Sequence, residues 1–203
     1  MTKFVTPKGV AVWPHLNEPD YKFNAAGEYS TKLRIPAEEA GELIETLEKI
    51  RDEYFEQAVK KDPKVKQYKM ADLYDEEVDD QGDLTGNYIF KFKQKAVITS
   101  KAGVDYDMRI ALFDSKRNKT AARIGGGSII RIAGTAIGYA MPSTKMVGLS
   151  LRPGTVQVIE LAGNASADAA LFDIEDGFVA DEIQEPAKNS ASEVTFTDDT
   201  ADF

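Results

Sequence analysis

The segment richest in chemistry is 88–95, Tyr-Ile-Phe-Lys-Phe-Lys-Gln-Lys. In an extended strand alternate side chains share a face. Tyr88, Phe90 and Phe92 then line one side, and Lys91, Lys93 and Lys95 the other. One reading is an amphipathic strand with its aromatics in a core and its lysines in water. A second keeps the same geometry and gives the lysines a ligand. Ammonium groups repeating every ~6.6–6.8 Å suit a phosphate backbone, each neutralising one negative charge. The surrounding sequence supplies more cations: Lys101, Arg109, Lys116, Arg117, Lys119, Arg123 and Arg131. Binding a single strand without sequence preference also needs exposed rings on which bases stack. The candidates are Trp13, Tyr21, Tyr106 and Tyr139. Trp13 and Tyr139 are favoured because each lies near a strand end beside turn residues, Pro14 in one case, Gly138 and Pro142 in the other.

Catalytic readings find less support. The single histidine, His15, has no cysteine anywhere in the chain and no second histidine with which to hold zinc. Gly125-Gly126-Gly127-Ser128 lacks the lysine and the spacing of a phosphate-binding loop, and reads as a tight turn. The carboxylates at 75–83 suggest a calcium loop, with Glu77, Asp79 and Gln81 ahead of Gly82. The bidentate acid expected six residues after that glycine is instead Tyr88. The run therefore reads as a solvated loop, and nothing in the sequence asks for a metal or another cofactor.

The elements that position these residues follow from periodicity. Residues 4–16 read as a first strand, and 28–35 alternate with Tyr29, Thr31, Leu33 and Ile35 on one face. Pro36 opens a helix expected over 37–60. Ala40, Leu43, Ile44, Leu47, Ile50, Tyr54, Ala58 and Val59 recur near the 3.6-residue period, with Glu38, Glu39 and Glu42 at the positive end of its dipole. Residues 64–86 read as an exposed acidic loop. Strands follow at 88–99, 107–113, 128–139 and 146–161, the last broken at Pro153-Gly154. One long helix among five or six strands gives a mostly β, α+β domain, for which a small antiparallel barrel is one solution.

Charge divides the chain more sharply than its total of -9. Residues 86–163 hold 12 Lys and Arg against 4 acids, while 164–203 hold 11 acids and the single base Lys188. The chain lacks cysteine, an apolar run long enough to span a membrane and the apolar stretch of a signal peptide at its start. It reads as a cytosolic protein with no membrane partner. The last residues carry Asp198, Asp199 and Asp202 ahead of a terminal Phe203. One aromatic anchor and a free carboxylate ringed by acids suit capture in a basic pocket of a partner protein.

The ordered set Pro19-Asp20-Tyr21, Phe90-Lys91-Phe92-Lys93, Asp114-Ser115-Lys116, Ile124-Gly125-Gly126-Gly127-Ser128, Val147-Gly148-Leu149-Ser150, Glu160-Leu161-Ala162 and Asp202-Phe203 covers nearly the whole chain. In that order it resembles phage-encoded single-stranded DNA-binding proteins of the podovirus replication type. The resemblance implies an OB fold over 1–163 with a helix inserted between early strands, followed by a flexible acidic tail over 164–203, of which 189–203 reads as disordered because it cannot bury enough apolar area. It implies sequence-independent binding of single-stranded DNA in replication, recombination and strand annealing, inside an infected bacterial host. The tail would dock the replicative DNA polymerase and the helicase-primase. Monomer and homodimer are both compatible. Lys93, Arg131 and Tyr139 are the contacts the resemblance carries over. Lys91, Lys95, Lys101, Arg109 and Trp13 come from the residues themselves. Two other classes stay open at this point: an acidic protein-interaction or DNA-mimic module, and a metal-dependent nuclease using the 75–83 carboxylates.

Overall fold

The computed structural model describes residues 2–22, 24–100 and 103–162. The expectations for Lys101 and for the tail with Asp198, Asp199, Asp202 and Phe203 fall outside the described residues.

In chain order the elements are β1 (Thr2–Val5), β2 (Gly9–Asp20), β3 (Glu28–Pro36), a 3-10 turn (Ala37–Glu39), α1 (Gly41–Lys61), a second 3-10 turn (Pro63–Gln67), β4 (Lys69–Met70), β5 (Asp75–Val78), β6 (Leu84–Lys95), β7 (Val97–Thr99), β8 (Asp105–Asp107), β9 (Ala111–Phe113), β10 (Ile129–Met141) and β11 (Met146–Glu160). Five of these strands close a circuit: β2 pairs β3, β3 pairs β6, β6 pairs β11, β11 pairs β10, and β10 returns to β2. This is the barrel of an OB fold. The β6–β11 seam, through Leu151 and Phe92, is the one parallel contact in the circuit; the other seams are antiparallel, as expected.

The alternation read from the sequence fixes the inside of the barrel. Leu33 and Ile35 of β3, Phe90 and Phe92 of β6, Ile130 and Ile132 of β10 and Val156 of β11 are fully buried. A one-residue slip of any strand would turn this set outward, so burial itself pins the register. Helix α1 is inserted between β3 and β6 and packs on β1, β10 and β11. Of the stripe read from its period it buries Leu43, Leu47, Ile50 and Ala58, while Ile44, Tyr54 and Val59 are half-buried. Its first expected turn is the separate 3-10 turn, and it ends at Lys61, where Asp62 accepts a hydrogen bond from the Lys64 amide ahead of the next turn. Gly138 marks its crossing over β10: a Cβ there would run into the Tyr54 ring.

Several expectations change. The single strands expected over 4–16, 88–99 and 107–113 are each divided, between β1 and β2, between β6 and β7, and between β8 and β9. Residues 64–86 are not a plain loop. They hold a 3-10 turn, β4, and β5, which pairs with the start of β6. Asp79 makes the hairpin turn: its Oδ1 accepts from the amides of Gln81 at 2.8 Å and Asp83 at 2.9 Å, with Gly82 at φ 89 completing the bend. Pro153-Gly154 likewise does not break the last strand. β11 runs through it: Pro153 keeps Gly134 as its partner, and Gly154 is the extra residue of a bulge opposite the Ala133/Gly134 step.

Candidate nucleic-acid interface

Lys91, Lys93 and Lys95 all point outward from β6, while Phe90, Phe92 and Gln94 between them are buried. Pairing with β3 places Lys32 opposite Lys91, Ser30 opposite Lys93 and Glu28 opposite Lys95. On the other flank the Leu151–Phe92 bridge brings Ser150 and Arg152 of β11 beside the row. A shallow cleft of about 370 Å³ is lined there by Glu28, Lys93, Lys95, Ile98, Ser150 and Arg152, with the edge of Gln94. Lys32 and Arg152 were not singled out from the sequence. The parity of β3 marks Lys32 as outward-facing. Arg152 was hidden because the adjacent proline suggested a break.

Carboxylates sit against this row. Lys91 Nζ meets Asp75 Oδ2 at 2.5 Å, and Lys93 Nζ meets Glu28 Oε1 at 3.1 Å. Further along, Arg34 binds Glu77, with Nε at 2.7 Å from Oε1. Glu77 also accepts from Thr85 at 2.8 Å and Asn87 at 3.0 Å. Burial pushes the Glu77 carboxyl up, but the Thr85, Asn87 and Arg34 donors outweigh it and hold the group below the usual carboxylate range.

Trp13 flanks the row on β2. Between Val12, paired with Lys32, and His15, paired with Ser30, the register slips, so that Trp13 and Pro14 oppose a single β3 residue. This is a β-bulge, and Trp13 takes φ 49 within it. The left-handed region is costly for a bulky L-residue. The ring gains no burial in return, being 77% exposed. A large apolar side chain held out by strained backbone is an expensive arrangement unless a ligand covers it.

Tyr139 stands on the opposite flank. It pairs with Gly148 of β11, and its ring lies over that glycine: a Cβ on Gly148 would meet the Tyr139 hydroxyl at 2.8 Å. Gly148, Ser150 and Arg152 alternate along β11, so the half-buried Tyr139 continues the outer face that carries the lysines. The circuit thus orders Trp13 on β2, Lys32 on β3, the lysine row on β6, Arg152 on β11 and Tyr139 on β10.

Two predicted cations lie apart. Arg109 lines a different cleft of about 400 Å³, with Asn17, Glu18, Tyr21, Tyr29 and Asp107. The β7–β8 hairpin leaves the end of β6 and returns just before Arg109. Burial raises the Tyr29 hydroxyl, and the nearby Arg109 charge partly offsets it. Tyr21 and Tyr106 are both strongly exposed, at 61% and 56%. Arg131 sits eight residues before Tyr139, roughly 26 Å along an extended strand. Its Nε donates to the Thr6 carbonyl at 3.1 Å, tying β10 to the chain between β1 and β2. Among the described residues no group of three or more His, Cys, Asp or Glu is arranged to hold a metal, and no helix is long and apolar enough to cross a membrane.

Comparison with known proteins bears on the fold and the family. No curated protein sequence matches the chain significantly. The fold is similar to that of gp2.5, a single-stranded DNA-binding protein encoded by bacteriophage T7, with a TM-score of 0.66 at 21% identity over 87% of this chain and 99% of that one. It is also similar to the C-terminally truncated single-stranded DNA-binding protein of bacteriophage Enc34, at TM-score 0.53 and 17% identity over 79% of this chain and 87% of that one. The same Enc34 protein in complex with single-stranded DNA gives TM-score 0.51 and 16% identity, covering 79% and 88% of the two chains. At these identities the likeness is one of fold. The family model described as "Single-stranded DNA-binding protein, Bacteriophage T7" goes further, matching residues 9–161, and the chain therefore belongs to that family.

Proposed function

We propose that this protein binds single-stranded DNA without sequence preference along the outer face of β3, β6 and β11, with phosphates on the lysine row and bases on Trp13 and Tyr139. Its family is one of binding proteins rather than enzymes. The observation that carries the reading is the row of outward lysines flanked by a strained, exposed tryptophan on one side and a tyrosine on the other. Salt acts directly on such a surface, since each neutralised phosphate contributes about -0.7 to the slope of log affinity against log salt. Titration of a fluorescent single-stranded oligomer at two salt concentrations tests it. Affinity falling steeply with salt supports the reading, and salt-independent affinity contradicts it.

The wider role we propose is protection of single-stranded DNA during phage replication, recombination and strand annealing in the cytoplasm of the infected host. The terminal Asp198, Asp199, Asp202 and Phe203 dock the replicative polymerase and helicase-primase. The support is charge: 11 acids in residues 164–203 share a molecule with a strongly basic block. With DNA absent, residues 189–203 also occupy the lysine-lined groove, and a tethered segment reaches an effective concentration near the millimolar range, so even a weak contact counts. Removing residues 189–203 is expected to raise single-strand affinity at low salt, where screening is least. Phe203→Ala is expected to leave that affinity unchanged while weakening polymerase binding. Equal affinities with and without the tail at low salt, or undiminished polymerase binding by Phe203→Ala, would contradict the respective half.

A further inference from the structure

Single strands and duplexes present the same phosphates, so a row of lysines alone does not choose between them. The carboxylates beside the row differ in what they do to each. Asp75 holds Lys91 and Glu28 holds Lys93, and Glu28 also stands opposite Lys95. These are exposed pairs: the Lys91 and Asp75 side chains are both about half exposed. Contacts of this kind are weak and easily exchanged for another anion. Beyond Asp75, the turn of the β5–β6 hairpin carries Asp79, Asp80 and Asp83, all exposed.

We infer that Asp75 and Glu28 are selectivity residues: resident anions that a single strand displaces from the lysines, and whose charge repels the second backbone of a duplex. The inference rests on the reading of this face as the DNA surface. A flexible single strand lays its phosphates on the lysines and turns away from the freed carboxylates. A duplex has no such freedom. Its second phosphate row is fixed about 6 Å across the minor groove or 12 Å across the major groove, and the helix is stiff over ~150 base pairs. Neighbouring strands are ~4.8 Å apart. With one row on β6, the second falls over the flanking strands, where Asp75 and the acidic hairpin turn lie with Arg152 to one side, and Glu28 lies with Lys32 to the other. Opposed like charges of this kind are a strong brake on a wrong partner.

The experiment uses the full chain with Asp75→Asn and Glu28→Gln combined. A fluorescent single-stranded oligomer and the duplex of the same sequence are titrated at one low salt concentration. The double variant is expected to bind the single strand about two- to five-fold more tightly. Its duplex affinity is expected to rise on the order of ten-fold or more, so the ratio between the two falls. Glu45→Gln with Glu53→Gln, on the exposed side of α1, makes the same change in net charge and is expected to leave the ratio unchanged. Equal factors for both probes in the Asp75/Glu28 variant would overturn the inference, because net charge alone would then account for them. So would no change in either probe while Lys91→Gln with Lys93→Gln loses affinity. If that lysine pair binds the single strand like wild type, the face is not the DNA surface, and the function reading falls together with the inference.

Discussion

Replacing Lys91, Lys93 and Lys95 together by alanine is expected to flatten the salt dependence of single-strand binding by about 2 in log–log slope, three phosphates at ~0.7 each. For a four-fold rise in salt, the wild type then loses roughly 20-fold more affinity than the variant. The fold should tolerate the change. The Lys91 and Lys93 side chains are 54% and 64% exposed, and exposed substitutions away from special features usually move stability little. Removing Lys91 also relieves its like-charge opposition to Lys32. A slope equal to that of wild type would mean that the phosphates lie elsewhere.

Trp13→Gly separates binding from stability. Loss of a stacked base costs about 1–3 kcal/mol, or about five- to 150-fold in affinity. Stability should not fall with it. The wild-type backbone at Trp13 is left-handed and its ring is exposed, so glycine relieves the strain and gives up little burial. Glycine also loses more chain entropy on folding, which offsets part of that gain. The expected result is a variant that melts no lower than wild type and binds single-stranded DNA at least about five-fold more weakly. Melting markedly lower, with unchanged binding, would assign Trp13 to the fold instead of the site.

Much of this was legible in the sequence, for identifiable reasons. The period-2 pattern at 88–95 predicts the inward aromatics and outward lysines of β6, and the 3.6 period predicts the buried stripe of α1. Both are local properties of consecutive residues. The features missed depend on pairing between distant segments. Trp13 owes its left-handed bulge to the register of β2 against β3. Glu28 and Lys93 are 65 residues apart and meet only because β3 and β6 are neighbours. The β5–β6 hairpin was obscured by its own charge, since its turn is made by Asp79, one acid among several. Arg109 and Lys95 are close in sequence, yet they line separate clefts because the β7–β8 hairpin lies between them in the chain.

The central claim is a location: single-stranded DNA lies on the outer face bounded by Trp13. The chain has one tryptophan, so its intrinsic emission reports that position alone. The direct measurement follows Trp13 fluorescence and the anisotropy of a labelled single-stranded oligomer in the same titration, then adds salt. The account predicts that emission is quenched in step with binding and recovers as salt releases the DNA. Saturated binding by anisotropy with Trp13 emission unchanged throughout would contradict it.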